Sequence, residues 1–302
     1  MLKKVNFFDK NLIKESSGRV AIISSTLSIL SMFIPLEEIH SLIKKMTFFK
    51  NYSNFLCGIV MLIIFIAILL GLHIYLFCKA NNLTSVILNV NNSILEIKTG
   101  DIFQEEGIKV IAFNEYFDTI ADDKIISKNS LNGIFINKII TGISKNLSLK
   151  KLDNLIEKDL YLKANCQKEY NYNRSMGKKQ KYRLGSIFEY NNEYFLTAMT
   201  KFDSDNRASL YQKEFIEFLL NFWDNIDKKY NGRTIVLPIL GSGITRFTDH
   251  REITEQELLN LIIWSFKLSR IKLISSAKIK IIIHNSKIDK INLYKLKNLE
   301  NI

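Results

Sequence analysis

The chain has 302 residues, 47% of them hydrophobic, and a net charge of +12. That length holds one sizeable domain plus an additional segment, and three cysteines (Cys57, Cys78, Cys166) without CxxC or Cys/His spacing suggest neither a disulfide framework nor a zinc site. The charge follows a composition rich in Lys, Asn and Ile, with attraction to anionic headgroups or to a phosphorylated ligand as the functional alternative; no basic face with base-stacking aromatics marks a nucleic-acid binder.

Mean hydropathy is near zero, but apolar residues crowd between Val20 and Cys78. Phe55–Cys78 (FLCGIVMLIIFIAILLGLHIYLFC) carries no Asp, Glu, Lys or Arg. It is longer than the roughly 20 residues that cross a hydrocarbon core, so it reads as a transmembrane helix. Val20–Leu36 is shorter and rich in Ser and Thr. Basic residues precede it, as in a signal peptide, but Pro35, Glu37 and Glu38 follow where a cleavage site would stand. The expectation is a retained first span and hence a transmembrane hairpin over residues 1–80. Lys3, Lys4, Lys10, Lys14, Arg19 and Lys79 flank the hairpin, against Lys44, Lys45 and Lys50 in its loop. That bias places both termini in the cytoplasm and the chain in the inner membrane as a multi-pass protein. Ser24, Ser28 and Ser31 share one helical face, read first as a contact with the second span. His73 lies near the end of the second span, where solvation accounts for it.

Residues 81–92, rich in Asn, read as a linker. From residue 93 onward the chain alternates strands and helices. Ser93–Lys98 and Ile108–Phe113 are strands, and Lys124–Lys128 precedes a turn at Ser130–Gly133. Ile134–Ser144 and Leu147–Asp159 are helical. Ala164–Arg183, polar, basic and aromatic, is an exposed loop or hairpin. Leu184–Tyr190 and Glu193–Thr200 form a hairpin across Asn191-Asn192. Leu210–Lys229 is an amphipathic helix with Phe215, Phe218, Leu219 and Phe222 on one side. Thr234–Leu240 is a buried strand entering Gly241-Ser242-Gly243. Thr254–Leu268 is a helix whose Thr254 and Glu257 make a capping box. Ala277–His284 is the last strand, before a basic helical tail to Ile302. The fold class is α/β, with a mixed sheet covered by helices on both faces.

Two places carry chemistry. The strand–GSG–helix passage offers backbone N–H groups that can cradle an anion, although an ordinary tight turn has the same form. Asp101, in Gly100-Asp101-Ile102 at a strand end, can accept a hydrogen bond from an exocyclic amine, or simply cap a turn.

Together with their neighbours these residues resemble a macro domain. LEIKTGDIF (Leu95–Phe103) resembles its opening strand, VIAFNEYFD (Val110–Asp118) the next strand and its Asn, Ser130–Gly133 the first phosphate loop, and LPILGSGITRF (Leu237–Phe247) the second. Two spans followed by such a domain (93–302, a three-layer α/β/α arrangement) resemble the type II Thoeris anti-phage effectors. The resemblance implies that Asp101 and Ile102 meet adenine, Asn114 the distal ribose, and Asn132 and Gly133 one phosphate. It implies that Gly241, Ser242, Gly243, Ile244 and Thr245 wrap the diphosphate, with Arg246 adding charge. It further implies an ADP-ribose derivative such as histidine–ADP-ribose, made by a TIR-domain partner, then homo-oligomerisation and membrane damage. No catalytic residue, metal or cofactor is implied. The stretch that macro hydrolases use is altered to Asn114-Glu115-Tyr116-Phe117, which favours binding over turnover. A membrane-tethered ADP-ribosyl hydrolase and a protein docking on lipids or a partner through its basic C-terminal end remain the alternatives.

Overall fold

The computed structural model describes residues 5–33, 41, 54–139, 145–203, 206–243, 246–248, 253–274 and 277–297. It divides into a helical unit, Met1–Leu83 with Asn292–Asn298, and a sheet unit, Thr84–Ile291 with Leu299–Ile302.

In the helical unit α1 spans Lys10–Ser31 and α2 spans Asn54–Asn81. Asp9 starts α1 by accepting from the Asn11 and Leu12 N–H groups, ten residues before the predicted span. Within α2, Gly58–Asn81 is long and apolar enough to cross a membrane, and only 6% of its apolar window is buried. Among the described residues no other helix meets that measure: Lys14, Glu15 and Arg19 keep α1 below it, and residues 34–36 lie outside the described part. His73 is not simply solvated. Its Nε2 faces the Phe7 carbonyl at 2.9 Å and its Nδ1 the Ser16 hydroxyl at 3.0 Å. The carbonyl can only accept, which fixes a proton on Nε2, and the ring braces α2 against the start of α1.

The sheet unit contains β1 (Ser85–Val90), β2 (Ser93–Thr99), β3 (Ile108–Asn114), β4 (Gln167–Tyr170), β5 (Gln180–Tyr182), β6 (Ile187–Tyr190), β7 (Tyr194–Phe202), β8 (Ala208–Leu210), β9 (Ile235–Pro238), β10 (Arg246–Phe247) and β11 (Lys278–Ile283). Its main sheet runs β1-β2-β11-β9-β3-β7-β8-β10, with β6 beside β7, while β4 and β5 form a separate hairpin. The expected linker at 81–92 is largely ordered instead. β1 pairs antiparallel with β2 across Asn91-Asn92, whose φ values of 55° and 59° suit a two-residue hairpin turn. Alternation in SVILNV, buried at every second residue, was the signal that the Asn content masked. Asn191 and Asn192 turn the β6–β7 hairpin in the same way.

The helices are α3 (Leu131–Ile139), α4 (Lys145–Lys158), α5 (Leu160–Asn165), α6 (Gln212–Lys229) and α7 (Glu255–Ser269). Ile111 and Phe113 of β3 and Leu196 and Ala198 of β7 meet Phe135 and Ile136 of α3, Leu152 and Ile156 of α4 and Leu162 of α5 in one core. α6 packs on α7, where the Trp223 indole donates to the Ser265 hydroxyl at 2.8 Å. Thr254 and Glu257 form the expected capping box of α7. Pro238 is tolerated in an interior strand because it is the last residue of β9, beyond the final β3 partner pair Lys109–Val236. After β11 a 3-10 turn, Asn285–Lys290, leads to α8 (Leu293–Leu296), which belongs to the helical unit.

Candidate functional site

β2, β11, β9, β3 and β7 are mutually parallel, so their carboxyl ends share one edge of the sheet. Crevices outside that edge are where open α/β sheets take ligands. Asp101 follows β2, His284 follows β11, the Gly241 turn follows β9, and Asn114 closes β3. At about 4.8 Å per strand, the ends of β2 and β9 stand about 10 Å apart with β11 between them.

Asp101 is exposed and caps the short 3-10 turn Ile102–Gln104, its Oδ1 accepting from the Phe103 N–H at 3.0 Å. Ile102 turns inward to Val236 and Ile282, with Phe103 and Leu131 packed alongside; this position therefore offers a ligand its backbone rather than its side chain. The same small cluster joins the Asp101 loop to the start of α3. The Lys138 ammonium stands 4.4 Å from the centre of the Phe103 ring, a cation–π distance.

At the start of α3, Asn132 is buried and its Oδ1 has no hydrogen-bond partner among the described residues. Gly133 is required by packing. A Cβ there would lie 2.2 Å from the Ser127 carbonyl oxygen, and its N–H is taken by the Ser130 hydroxyl. A phosphate bound at this N–H would have to displace that cap.

Gly241 has φ +85°, a left-handed conformation that costs a side-chain-bearing residue about 1–2 kcal/mol. A Cβ there would also press on Leu258, Phe247 and Phe215 at 3.2–3.4 Å. The Ser242 N–H closes the turn on the Ile239 carbonyl. Among the described residues nothing lies within 4 Å of where a Cβ on Gly243 would stand. Ile244 and Thr245 lie outside the described residues; Arg246 is placed by its backbone in β10, which pairs parallel with β8.

Asn114 is spoken for. Its Oδ1 accepts from the N–H groups of Tyr116 and Asp118, and its Nδ2 donates to Asp118 Oδ2 at 2.9 Å. Asp118 in turn receives both terminal nitrogens of Arg174, at 3.2 and 2.7 Å. Arg174 also donates to Asn206 and to the Lys178 carbonyl, and lies over the Tyr116 ring at 3.9 Å. Sequence reasoning missed this residue. The 164–183 segment is a hairpin, as one reading had it, but it is not simply exposed: Arg174, Cys166 and Tyr182 are buried. Its tip closes over Asn114–Thr119, every residue of which is buried. No local pattern announces such a pairing, since Arg and Asp are 56 residues apart. Burial pushes the Glu115 carboxyl above its ordinary value, against the pull of Lys181, the Phe202 N–H and Lys201. His284 was also missed. Its Nδ1 is held by Ser286 at 2.8 Å, and it stands between the Asp101 and Gly241 loops; the end of the last apolar run was its signal.

Two open depressions among the described residues, about 1020 and 380 Å³, lie at the other end of these strands and share Asn192 and Arg233 in their lining. Arg233 there is paired with Glu189 at 2.6 Å. At the carboxyl edge, loop residues 244–245 and 249–252 are outside the described part.

Residues 95–284 match the family model described as Thoeris protein ThsA, Macro domain. The chain is 38% identical over 247 residues to the Thoeris protein ThsA of Bacillus amyloliquefaciens (strain Y2), covering 81% of this chain and 80% of that one. Among solved structures it is similar to the Oceanobacillus iheyensis macrodomain with ADP, at 16% identity, 72% and 98% coverage and TM-score 0.46. It is similar also to that macrodomain with MES bound, at 18% identity, 72% and 98% coverage and TM-score 0.44. The chain belongs to the Thoeris ThsA macro-domain family.

Proposed function

We propose that the protein is a membrane-anchored effector of bacterial anti-phage defence. Its macro domain binds an ADP-ribose derivative, such as histidine–ADP-ribose, made by a TIR-domain partner. Binding drives assembly and disruption of the inner membrane. The observation that supports this reading most is the shared sheet edge: Asp101, the start of α3 and the Gly241–Gly243 turn come together there from positions far apart in sequence. Asp101 reads the adenine amine, the Gly241–Gly243 backbone takes the diphosphate, and the exposed apolar face of α2 faces lipid.

Binding without turnover fits the region beyond β3. There Asn114 is committed to Asp118 and the loop is locked by Arg174, which leaves no free side chain on Asn114 to position a water. In vesicles carrying the full chain, histidine–ADP-ribose should trigger dye release and be recovered chemically unchanged. Gly241→Glu, which fills the turn, should abolish release while the protein stays in the membrane fraction. Full release by that variant counts against the proposal, and conversion of the nucleotide favours the hydrolase instead.

A further inference from the structure

The last strand and the C-terminal tail form one continuous path between the ligand edge and the helical unit. At its root, the Ile283 carbonyl of β11 accepts from the Gly100 N–H at 3.0 Å, beside Asp101. Four residues on, Lys287 in the 3-10 turn pairs with Glu255 at 2.5 Å, and Glu255 opens α7, the helix that follows the Gly241 loop. The end of β11 thus touches the Asp101 side of the ligand edge, and the turn after it touches the helix that follows the Gly241 loop. At its far end Asn292 caps α8 by accepting from the Lys295 N–H. Tyr294 is then buried in a cluster with Val5, Leu12, Leu76 and Ala80, and its hydroxyl donates to Glu15 of α1 at 2.9 Å. Partial burial alone would raise the Glu15 carboxyl; hydrogen bonds from Tyr294 and Arg19 outweigh it and hold it below its ordinary value.

Among the described residues the chain passes between the two units at 83–84 and again at 291–292. Only ten residues separate Ile283 from Tyr294. We propose that the segment His284–Leu296 is a transmission strap: occupancy of the carboxyl edge is passed through it to α1 and α2 at the Tyr294–Glu15 contact. This rests on the ligand reading of that edge. Such a device works only if ligand binds one arrangement of the strap more tightly than another.

Hydrogen exchange on the full chain in lipid nanodiscs, with and without histidine–ADP-ribose, tests it. The expected result is altered exchange both in the Asp101 and Gly241 loops and at residues 292–297. A response in the loops alone overturns the strap but leaves the ligand reading standing. No response in either region overturns both. Tyr294→Ala, with Tyr294→Phe as the milder variant that keeps the ring, should leave nucleotide affinity within twofold. In the alanine variant the ratio of dye release with and without nucleotide should fall at least tenfold, and in the phenylalanine variant by less. An unchanged ratio in Tyr294→Ala, with affinity unchanged, overturns the proposal.

Discussion

The helical unit and the sheet unit treat the same side chains in opposite ways. Ile22, Leu62, Ile63 and Ile68 stand more than half exposed on α1 and α2, whereas Ile111, Ile235, Ile279 and Ile281 are fully enclosed in the sheet. A contiguous exposed apolar surface of this kind marks an interaction with something other than water. Isoleucine faces outward in one unit and is core in the other. The difference is one of pattern: an unbroken apolar run in α2, and short alternating runs between charged turns in the sheet.

One substitution applied to both units separates the two roles. Ile281→Asp buries an unpaired carboxylate between β2 and β9 and should cost more than about 4 kcal/mol, unfolding the sheet unit in a denaturant titration. Ile66→Asp, on the exposed face of α2, should leave that transition where it is. It should instead lower the membrane-bound fraction, through a cost of about 2.5–3.5 kcal/mol for an acidic residue at a span centre. Equal loss of the sheet transition in both variants would erase the distinction between the units.

Within the sheet unit the next effect is Arg174→Ala. It strands Asp118, buried with 1% exposure, and should cost about 3–5 kcal/mol. Tyr172→Ala in the same hairpin, at a side chain 79% exposed, should fall within about 0.5 kcal/mol of the parent. Denaturant midpoints of the pair show whether the hairpin is anchored or merely laid on the surface.

The smallest effect is Glu115→Gln. Burial raises the Glu115 carboxyl, so the protonated form is the one the fold prefers. The stability it contributes is present in full below the unfolded carboxylate range, near pH 4, and is lost as pH rises through the higher folded value. The glutamine variant should thus melt slightly above the parent at neutral pH and converge with it in acid. A gap that widens on acidification would reverse the sign and contradict the burial argument.

Much of the fold was legible because its signals are local. The run Phe55–Cys78, the Thr254/Glu257 box, the Asn191-Asn192 turn and the period of Leu210–Lys229 each act within a few residues. β1 was hidden by its Asn content, although Ile87 and Leu88 sit in a strict alternation. Asp101 and Gly241 were legible as strand-end residues, and the parallel order of their strands brings them to one edge. Arg174 and the Tyr294–Glu15 contact were not, because each depends on partners distant in sequence that no local spacing encodes. Gly133 was legible as a turn residue, but what demands a glycine there is the Ser127–Lys128 backbone packed against it.

Calorimetric titration of the full chain with histidine–ADP-ribose and with ADP-ribose tests the shared ligand edge most directly. One-site binding is expected in the parent, weakened at least tenfold, or about 1.4 kcal/mol, by Asp101→Ala and by Gly241→Glu alike. Absence of binding in the parent, or affinity that neither substitution alters, would contradict it.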